Sequence, residues 1–326
     1  MVTLPPNFLP IGSLGLAALL DYFIGDPWGW PHPVQGMGRL IHVYARWVLK
    51  RFSHPQALHI AGGFLGVGLT VGSGVAGWLL AQAATQLEPI AGFLLETTLL
   101  ASCLAGRSLR RAAEDVLKPL RQGDVENARS RLSLYVGRDT QSLGEPEILR
   151  ALMETVTENA TDGVMAPLFY ALLGALLGLG PAPLALAYKA ASTLDSMVGY
   201  RQEPYAYLGW FSARMEDGLT WIPCRLTVLT IALLSGKPIW VLRICRRDAI
   251  ADPSPNAGWS ECAYAAALGV QLGGVNYYQG QKKIKPLLGN PLHPITPARI
   301  RQAMQFTRFS FILWLTLGII GLSLAR

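Results

Sequence analysis

Four groups of residues in this chain have types and spacings fit for chemistry. The first is Glu154, Glu158, Asn159 and Asp162. At about 100° per residue the three carboxylates lie within about 80° of one another, on a single helical stripe. Like charges one turn apart repel mildly, so something cationic must face them. Two readings follow. The stripe either forms ion pairs with nearby arginines or binds a hard cation such as Mg2+, which takes oxygen ligands and bridges to substrate phosphate. It runs directly into an uncharged 26-residue stretch, 163–188. That places it at a membrane boundary, where clustered carboxylates point to a metal or catalytic role.

The second group follows that stretch: Lys189, Ser192, Thr193, Asp195 and Ser196. On a helix, Lys189, Ser192, Thr193 and Ser196 share one face, and a lysine with three hydroxyls makes a cradle for phosphate oxygens. The plainer reading is a lysine reaching along the helix to the membrane interface. The third group, Arg214, Glu216, Asp217 and Arg225, repeats the mixture of carboxylate and guanidinium beside an apolar segment. An ionisable group at membrane depth is costly unless paired, which makes Arg225 a functional candidate. Asp21 and Glu96 share that status in weaker contexts. Two proline-rich loops complete the set, one over 25–33 with Asp26 and His32, the other over 252–258 with Asn256. Proline holds such loops in one shape, which suits a binding lip as well as a stiff connector. No Gly-x-x-x-x-Gly-Lys-Ser/Thr loop occurs, so a Walker-type phosphate loop is not on offer.

The elements that position these groups are membrane helices. Hydrophobic residues make up 51% of the 326 and charged residues only 15%, against about 25% charged in a soluble domain. This excludes an ordinary soluble enzyme, a disordered tail and a collagen-like fibre. In a soluble protein the net charge of +7 would suggest nucleic acid. In a chain this apolar it points to basic cytoplasmic loops and phosphate-bearing ligands, with no nucleic acid partner. A spanning helix needs about 20 mostly apolar residues. Stretches of that kind fall near 8–24, 57–81, 87–106, 163–188, 219–235 and 309–325. Gly180-Pro181-Ala182-Pro183 breaks the fourth, which reads as a helical hairpin or re-entrant pair. Pro223 and Arg225 weaken the fifth. Glycines between Gly62 and Gly77 let helices approach closely. Trp28, Trp30, Trp78, Trp210 and Trp221 lie near segment ends, as an aromatic belt would place them. The first Lys or Arg is Arg39, so the first stretch reads as an anchor rather than a cleaved signal peptide.

Segments 25–56, 107–162 and 237–308 carry four, nine and ten Lys/Arg, which is 23 of the 28. The positive-inside rule places all three in the cytoplasm. The expected protein is all-α and polytopic, a single membrane-embedded catalytic domain over 1–326 with re-entrant or broken helices and cytoplasmic helical segments. Within 107–162, Asp124 is placed to cap a helix over 125–135. Ser142-Leu-Gly-Glu145 has capping-box spacing and, with Pro146, opens a helix expected to stop before Pro167. Cys103, Cys224, Cys245 and Cys262 lack CxxC spacing and histidine partners, and read as free thiols.

Several motifs, spread in order over nearly the whole chain, resemble the integral-membrane adenosylcobinamide-phosphate synthase family of cobalamin biosynthesis. They are Gly25-Asp-Pro…Pro-His-Pro33 with Gly38-Arg39, Gly137-Arg-Asp-Thr140, and Glu158-Asn159-x-x-Asp162-Gly163. Lys189-Ala-x-x-Thr-Leu-Asp-Ser-Met-Val-Gly-Tyr200, Ser212-Ala-Arg-x-Glu-Asp217, Ile222-Pro-x-Arg225, Ser254-Pro-Asn-Ala-Gly258 and Leu272-Gly-Gly continue the series. The resemblance implies an enzyme of the cell membrane with its active site on the cytoplasmic side. It would join the free propionate of adenosylcobyric acid, a corrinoid, to (R)-1-amino-2-propanol phosphate as an amide, with ATP as co-substrate and Mg2+ as cofactor. It also implies Glu154, Glu158 and Asp162 as Mg2+ ligands, with Asp195 and Asp217 contributing. Lys189, Arg138 and Arg214 would bind phosphate, and Asp26, His32, Asp139, Asn159, Thr193, Ser196, Arg225 and Asn256 would complete the site. The implied partners are these substrates, the lipid bilayer and other membrane enzymes of late cobalamin assembly.

A reading from another class is a transporter or permease subunit for a corrinoid or phosphorylated small molecule. It accounts for broken helices and polar intramembrane groups without chemistry. No internal repeat is evident, which counts against many transporter folds.

Overall fold

A computed structural model describes residues 8–26 and 32–325. The elements run α1 (Phe8–Phe23), α2 (Pro33–Arg51), α3 (Pro55–Leu87), α4 (Pro89–Ala101), α5 (Gly106–Arg121), α6 (Val125–Leu132) and α7 (Glu145–Asn159). A π-helical turn (Ala160–Met165) leads into α8 (Ala166–Leu176), then α9 (Pro181–Val198), α10 (Trp210–Leu234), α11 (Pro238–Asp248) and α12 (Ala257–Leu268). Strands β1 (Gln271–Tyr278) and β2 (Gln281–Gly289) precede the last helix, α13 (Pro297–Leu324). Among the described residues the protein is all-α apart from this hairpin.

Among the same residues, four segments are long and apolar enough to cross a membrane: Pro55–Leu87, Pro89–Arg121, Trp210–Leu234 and Pro297–Leu324. They absorb the expected spans near 57–81, 87–106, 219–235 and 309–325. At 16 residues, α1 is about 24 Å long, short of the roughly 30 Å hydrocarbon core. The stretch 163–188 is not one helix. The break falls at Gly180-Pro181, and α8 and α9 fold back on each other as the hairpin expected there.

The chain divides into two compact units. Met1–Ala105, Ala166–Thr220 and Leu313–Arg326 make the first; Gly106–Met165 and Trp221–Ile312 make the second. Two of the three basic segments, 107–162 and 237–308, account for most of the second unit. They close a core of their own and are not simple connecting loops.

In the first unit, α3 packs on α9 through small residues. A Cβ on Gly74 would lie 3.1 Å from the Pro183 carbonyl oxygen, and one on Gly77 would lie 2.4 Å from Leu186 Cδ1. Gly72-Ser-Gly-Val-Ala-Gly77 has the Gly-x-Gly-x-x-Gly spacing of a dinucleotide loop. It falls mid-helix in α3, not in the strand-turn-helix that such a loop requires. Glu96 of α4 plays a structural part. It accepts the backbone N–H of Ala182 at the start of α9, where a carboxylate satisfies the free donors of a helix N-terminus. Gly180 makes room for it, with φ +87° and a Cβ position only 2.1 Å from Glu96 Oε1.

In the second unit, Leu117, Leu132, Ile148, Leu152, Met153 and Tyr264 are buried. Asp124 caps α6 as expected, accepting the Asn127 N–H at 3.0 Å, and the helix ends at Leu132, short of residue 135. The cap of α7 is Gly144 and not Ser142. Glu147, three residues on, accepts the Gly144 N–H at 2.7 Å, and Pro146 takes the first turn, where its missing N–H costs nothing. The helix does not stop before Pro167. It widens into the π turn over Ala160–Met165 and continues as α8, a local change of register that accommodates a residue with no N–H to donate. Strands β1 and β2 pair antiparallel around Gln279-Gly280, whose φ values of 50° and 76° suit a hairpin turn with both central residues left-handed. All four cysteines are buried thiols that form no disulfide.

Candidate functional site

The charged network of the second unit is centred on Glu154, which exposes 1% of its side chain. It accepts hydrogen bonds from Arg138, from Arg150 at 3.1 Å and from the Gly273 backbone N–H at 2.9 Å. Arg138 also donates to Asn276 Oδ1 at 2.9 Å. Arg150 donates to the Gly273 and Val275 carbonyls at 2.6 and 2.9 Å. One carboxylate and two guanidiniums thus join α7, the 137–140 segment and β1. Gly273 makes this possible. The pairing shifts register between Leu272 and Gly274, Gly273 has φ +86°, and a Cβ there would meet the Pro286 carbonyl oxygen at 1.9 Å. Only glycine allows such a bulge, and its N–H is the one Glu154 accepts.

Beside this hub stands a lysine among carboxylates. Lys285 of β2 donates to Glu261 Oε1 of α12 at 3.2 Å. Glu261 is fully buried, and its Oε2 has no hydrogen-bond partner. Burial pushes the Glu261 pKa up to about 8; Lys285 opposes the rise, while Glu158, Glu154 and Asp252 add to it. Burial disfavours the charge on Lys285, but Glu261, Glu158, Glu154 and Asp252 outweigh it and raise its pKa. Glu154 shows the opposite balance. Burial would raise its pKa, yet Arg138, Arg150 and Lys285 hold it below the usual carboxylate range. Glu158 keeps part of its surface open. Burial raises its pKa, with Lys285 opposing and Asp252 and Glu154 assisting.

These residues do not fit the Mg2+ site expected from Glu154, Glu158 and Asp162. Among the described residues no group of three or more His, Cys, Asp or Glu is placed to hold a metal ion. Glu154 is already engaged by two guanidiniums and an amide. The π turn takes Asp162 out of the regular helix on which the stripe depended. For Glu154 the ion-pair alternative holds.

Other expected site residues have visible structural duties. Asp139 accepts the N–H groups of Gln279 and Gly280 at 3.0 and 2.8 Å, and its own N–H donates to the Tyr277 carbonyl at 2.8 Å. It clamps the hairpin turn and is not placed as a phosphate ligand. Asn159 donates to the Thr155 carbonyl of its own helix at 2.9 Å. Arg225 and Asn256 do come together. Arg225 donates to the Pro255 carbonyl at 2.9 Å and to Asn256 Oδ1 at 3.5 Å. Its guanidinium lies 4.5 and 5.2 Å from the ring centres of Trp259 and Trp221, so its charge is paired as membrane depth demands.

In the first unit, His32 and Asp26 meet at 3.1 Å. His32 Nδ1 accepts the Val34 N–H and so caps α2, which leaves Nε2 as the donor to Asp26. They bracket the first proline-rich loop; residues 27–31 of it, with Trp28 and Trp30, lie outside the described residues. Two hydroxyls of the cradle expected around Lys189 bond to their own helix. Thr193 donates to the Lys189 carbonyl at 2.7 Å and Ser196 to the Thr193 carbonyl at 3.0 Å, so both protons are held by the helix backbone. Asp195 folds against Gly199, where a Cβ would lie 2.1 Å from its Oδ1. Arg214 and Asp217 are brought together in a cleft of ≈ 290 Å3 that also includes Tyr200, Arg201 and Trp210.

Sequence reasoning passes over Arg150, Asn276, Glu261 and Lys285. A signal exists for two of them. Arg150 stands four residues before Glu154, and Glu261 is the lone carboxylate in the small-residue run 260–268.

Fold and network together define a class: a helical membrane protein with a partly buried network of glutamates, arginines and a lysine outside its spanning helices. The chain matches the sequence model of the family described as CobD/Cbib protein over residues 14–307. It is 51% identical over 323 residues to the cobalamin biosynthesis protein CobD of Synechocystis sp., covering 98% of this chain and 94% of that one. It is 45% identical over 287 residues to CbiB of Salmonella typhimurium, covering 86% and 88%. With CobD of Geobacter metallireducens it shares 45% over 285 residues, covering 86% of each. No solved structure matches. The chain belongs to the CobD/CbiB family of cobalamin biosynthesis proteins.

Proposed function

We propose that this protein is an acid–amine ligase that joins the free propionate of adenosylcobyric acid to (R)-1-amino-2-propanol phosphate, giving adenosylcobinamide phosphate. Family membership supports the pathway, and the chemistry supports the order of events. A carboxylate is a poor acyl donor, so ATP first transfers a phosphoryl group to the propionate, releasing ADP. The amine nitrogen then bonds to the acyl carbon, the carbon–oxygen bond to phosphate breaks, and phosphate leaves. Mg2+ enters with ATP as part of the co-substrate. The excess of Lys and Arg in 107–162 and 237–308 supports a cytoplasmic location for this work, where ATP is available.

The observation that carries the reading is Glu158, a partly open carboxylate beside the buried Glu154 and Glu261 and the partly exposed Lys285. The amine reaches the site as an ammonium ion and must lose a proton to attack. A carboxylate whose pKa is raised by burial is a better proton acceptor at neutral pH than an ordinary one. Glu158→Gln should lower amide formation by about 100-fold or more and leave the thermal unfolding temperature in detergent within a degree or two. Near-normal turnover would remove Glu158 from the mechanism.

A further inference from the structure

The cleft of the first unit is not used by the network described above. Its wall on α10 is formed by Trp210, Ala213, Arg214 and Asp217, positions i, i+3, i+4 and i+7, which share one helical face. Tyr200 and Arg201 close it from the preceding loop. The scaffold behind it is tightly built. His59 of α3 packs edge-on against Trp210 with ring centres 5.4 Å apart. Gly62 and Gly66 leave no room for a Cβ against the Leu208 carbonyl and the Phe211 ring. Asp217 feels the attraction of both Arg214 and Arg201.

Two guanidiniums and one carboxylate give the cleft a net charge of +1. Guanidinium forks match phosphate oxygens, and a carboxylate next to them suits a cation. Its ≈ 290 Å3 stands at the small end of ligand sites, which run from about 300 to 1,000 Å3. That admits a compact ligand and excludes a corrinoid macrocycle. We propose that this cleft binds a small phosphorylated primary amine, its phosphate between Arg201 and Arg214 and its ammonium against Asp217. Such a ligand carries about −1.5 to −2 on phosphate and +1 on nitrogen, the complement of the cleft. Naming it the amine substrate of the ligase rests on the function proposed above; the match of charge and size does not.

Calorimetric titration of the full-length protein in detergent tests this, with (R)-1-amino-2-propanol phosphate as the probe. Arg201→Gln and Arg214→Gln should each weaken binding at least tenfold. Asp217→Asn should weaken binding of the amine phosphate at least tenfold and leave 2-propyl phosphate, which lacks the amine, unaffected. Ala213→Leu, which fills the cleft without touching a charge, should reproduce the loss if an arginine variant does not fold. Glycerophosphoethanolamine, a lipid headgroup without its tails, should bind at least tenfold more weakly than the monoester. Absence of binding to the wild type, unchanged affinity in the arginine and Ala213 variants, equal losses for both phosphates in Asp217→Asn, or tighter binding of the headgroup would each overturn the assignment. Binding that behaves as described in a protein that forms no amide would sink the ligase reading and leave the cleft standing. Amide synthesis at full rate in every cleft variant would do the reverse.

Discussion

Replacing Glu154 by glutamine keeps the shape of the side chain and removes its charge. The acceptor for the Gly273 N–H survives, so the loss falls on the two guanidiniums. Arg138 and Arg150 expose only 8% and 17% of their side chains, and water cannot take over from the missing carboxylate. Removing one partner of a buried ion pair costs about 3–5 kcal/mol. At tenfold per 1.4 kcal/mol this is about two to three and a half decades in the local opening equilibrium. Hydrogen exchange followed by mass spectrometry in detergent reads it directly. Amides of 271–278 in Glu154→Gln should exchange about 100-fold faster or more, because β1 is held to α7 through this hub. Adding Arg138→Met should restore part of the protection, since it removes one of the stranded charges. Unchanged exchange in β1, combined with a lower Mg2+ affinity, would refute the reasoning and return Glu154 to the role of metal ligand.

Three further outcomes follow from the same contacts. The folded pKa of Glu261 lies above its ordinary 4.5, at about 8, so the folded protein holds a proton that the unfolded chain releases. The stabilisation is complete below about 4.5 and lost as the pH rises past about 8, with a slope of up to about 1.4 kcal/mol per pH unit. Glu261→Gln should flatten that decline in thermal melts, and an unaltered profile would contradict the effect of burial. Gly180→Ala should lower the melting temperature through left-handed strain of about 1–3 kcal/mol and the collision with Glu96; adding Glu96→Ala should recover only the second part, and a wild-type melting temperature in the single variant would count against both. Arg225→Met should lose the bond to Pro255 and the contacts with Trp221 and Trp259, at about 1–3 kcal/mol, and shift the tryptophan emission; an unmoved spectrum would contradict the stacking.

The spans were legible because they are physically simple. The run from Pro55 to Leu87 carries no charge, and it forms one helix. Gly180-Pro181 announced a break and made one. Asp124 announced a cap and made one. The hairpin was harder to see. Its second strand begins Gln281-Lys-Lys-Ile-Lys285, and its first four residues are all exposed, so there is no apolar alternation to read. The candidate site is harder to read for a related reason. Glu154, Glu158 and Asp162 form a stripe only on a regular helix, and the π turn that accommodates Pro167 ends that regularity. Asp139 looks like a ligand until Gln279 and Gly280, 140 residues away, are placed against it. The Glu154–Arg150 pair, by contrast, sits at ordinary helical spacing and was open to local reasoning.

The central claim is the ligation, and mass spectrometry of the reaction mixture tests it most directly. Purified protein in detergent, given adenosylcobyric acid, (R)-1-amino-2-propanol phosphate, ATP and Mg2+, should yield the corrinoid amide, with ADP and phosphate formed in step and no product when ATP is omitted. A corrinoid of unchanged mass, together with movement of labelled corrinoid or amino-alcohol phosphate across proteoliposomes, would contradict the ligase and establish a transporter in its place.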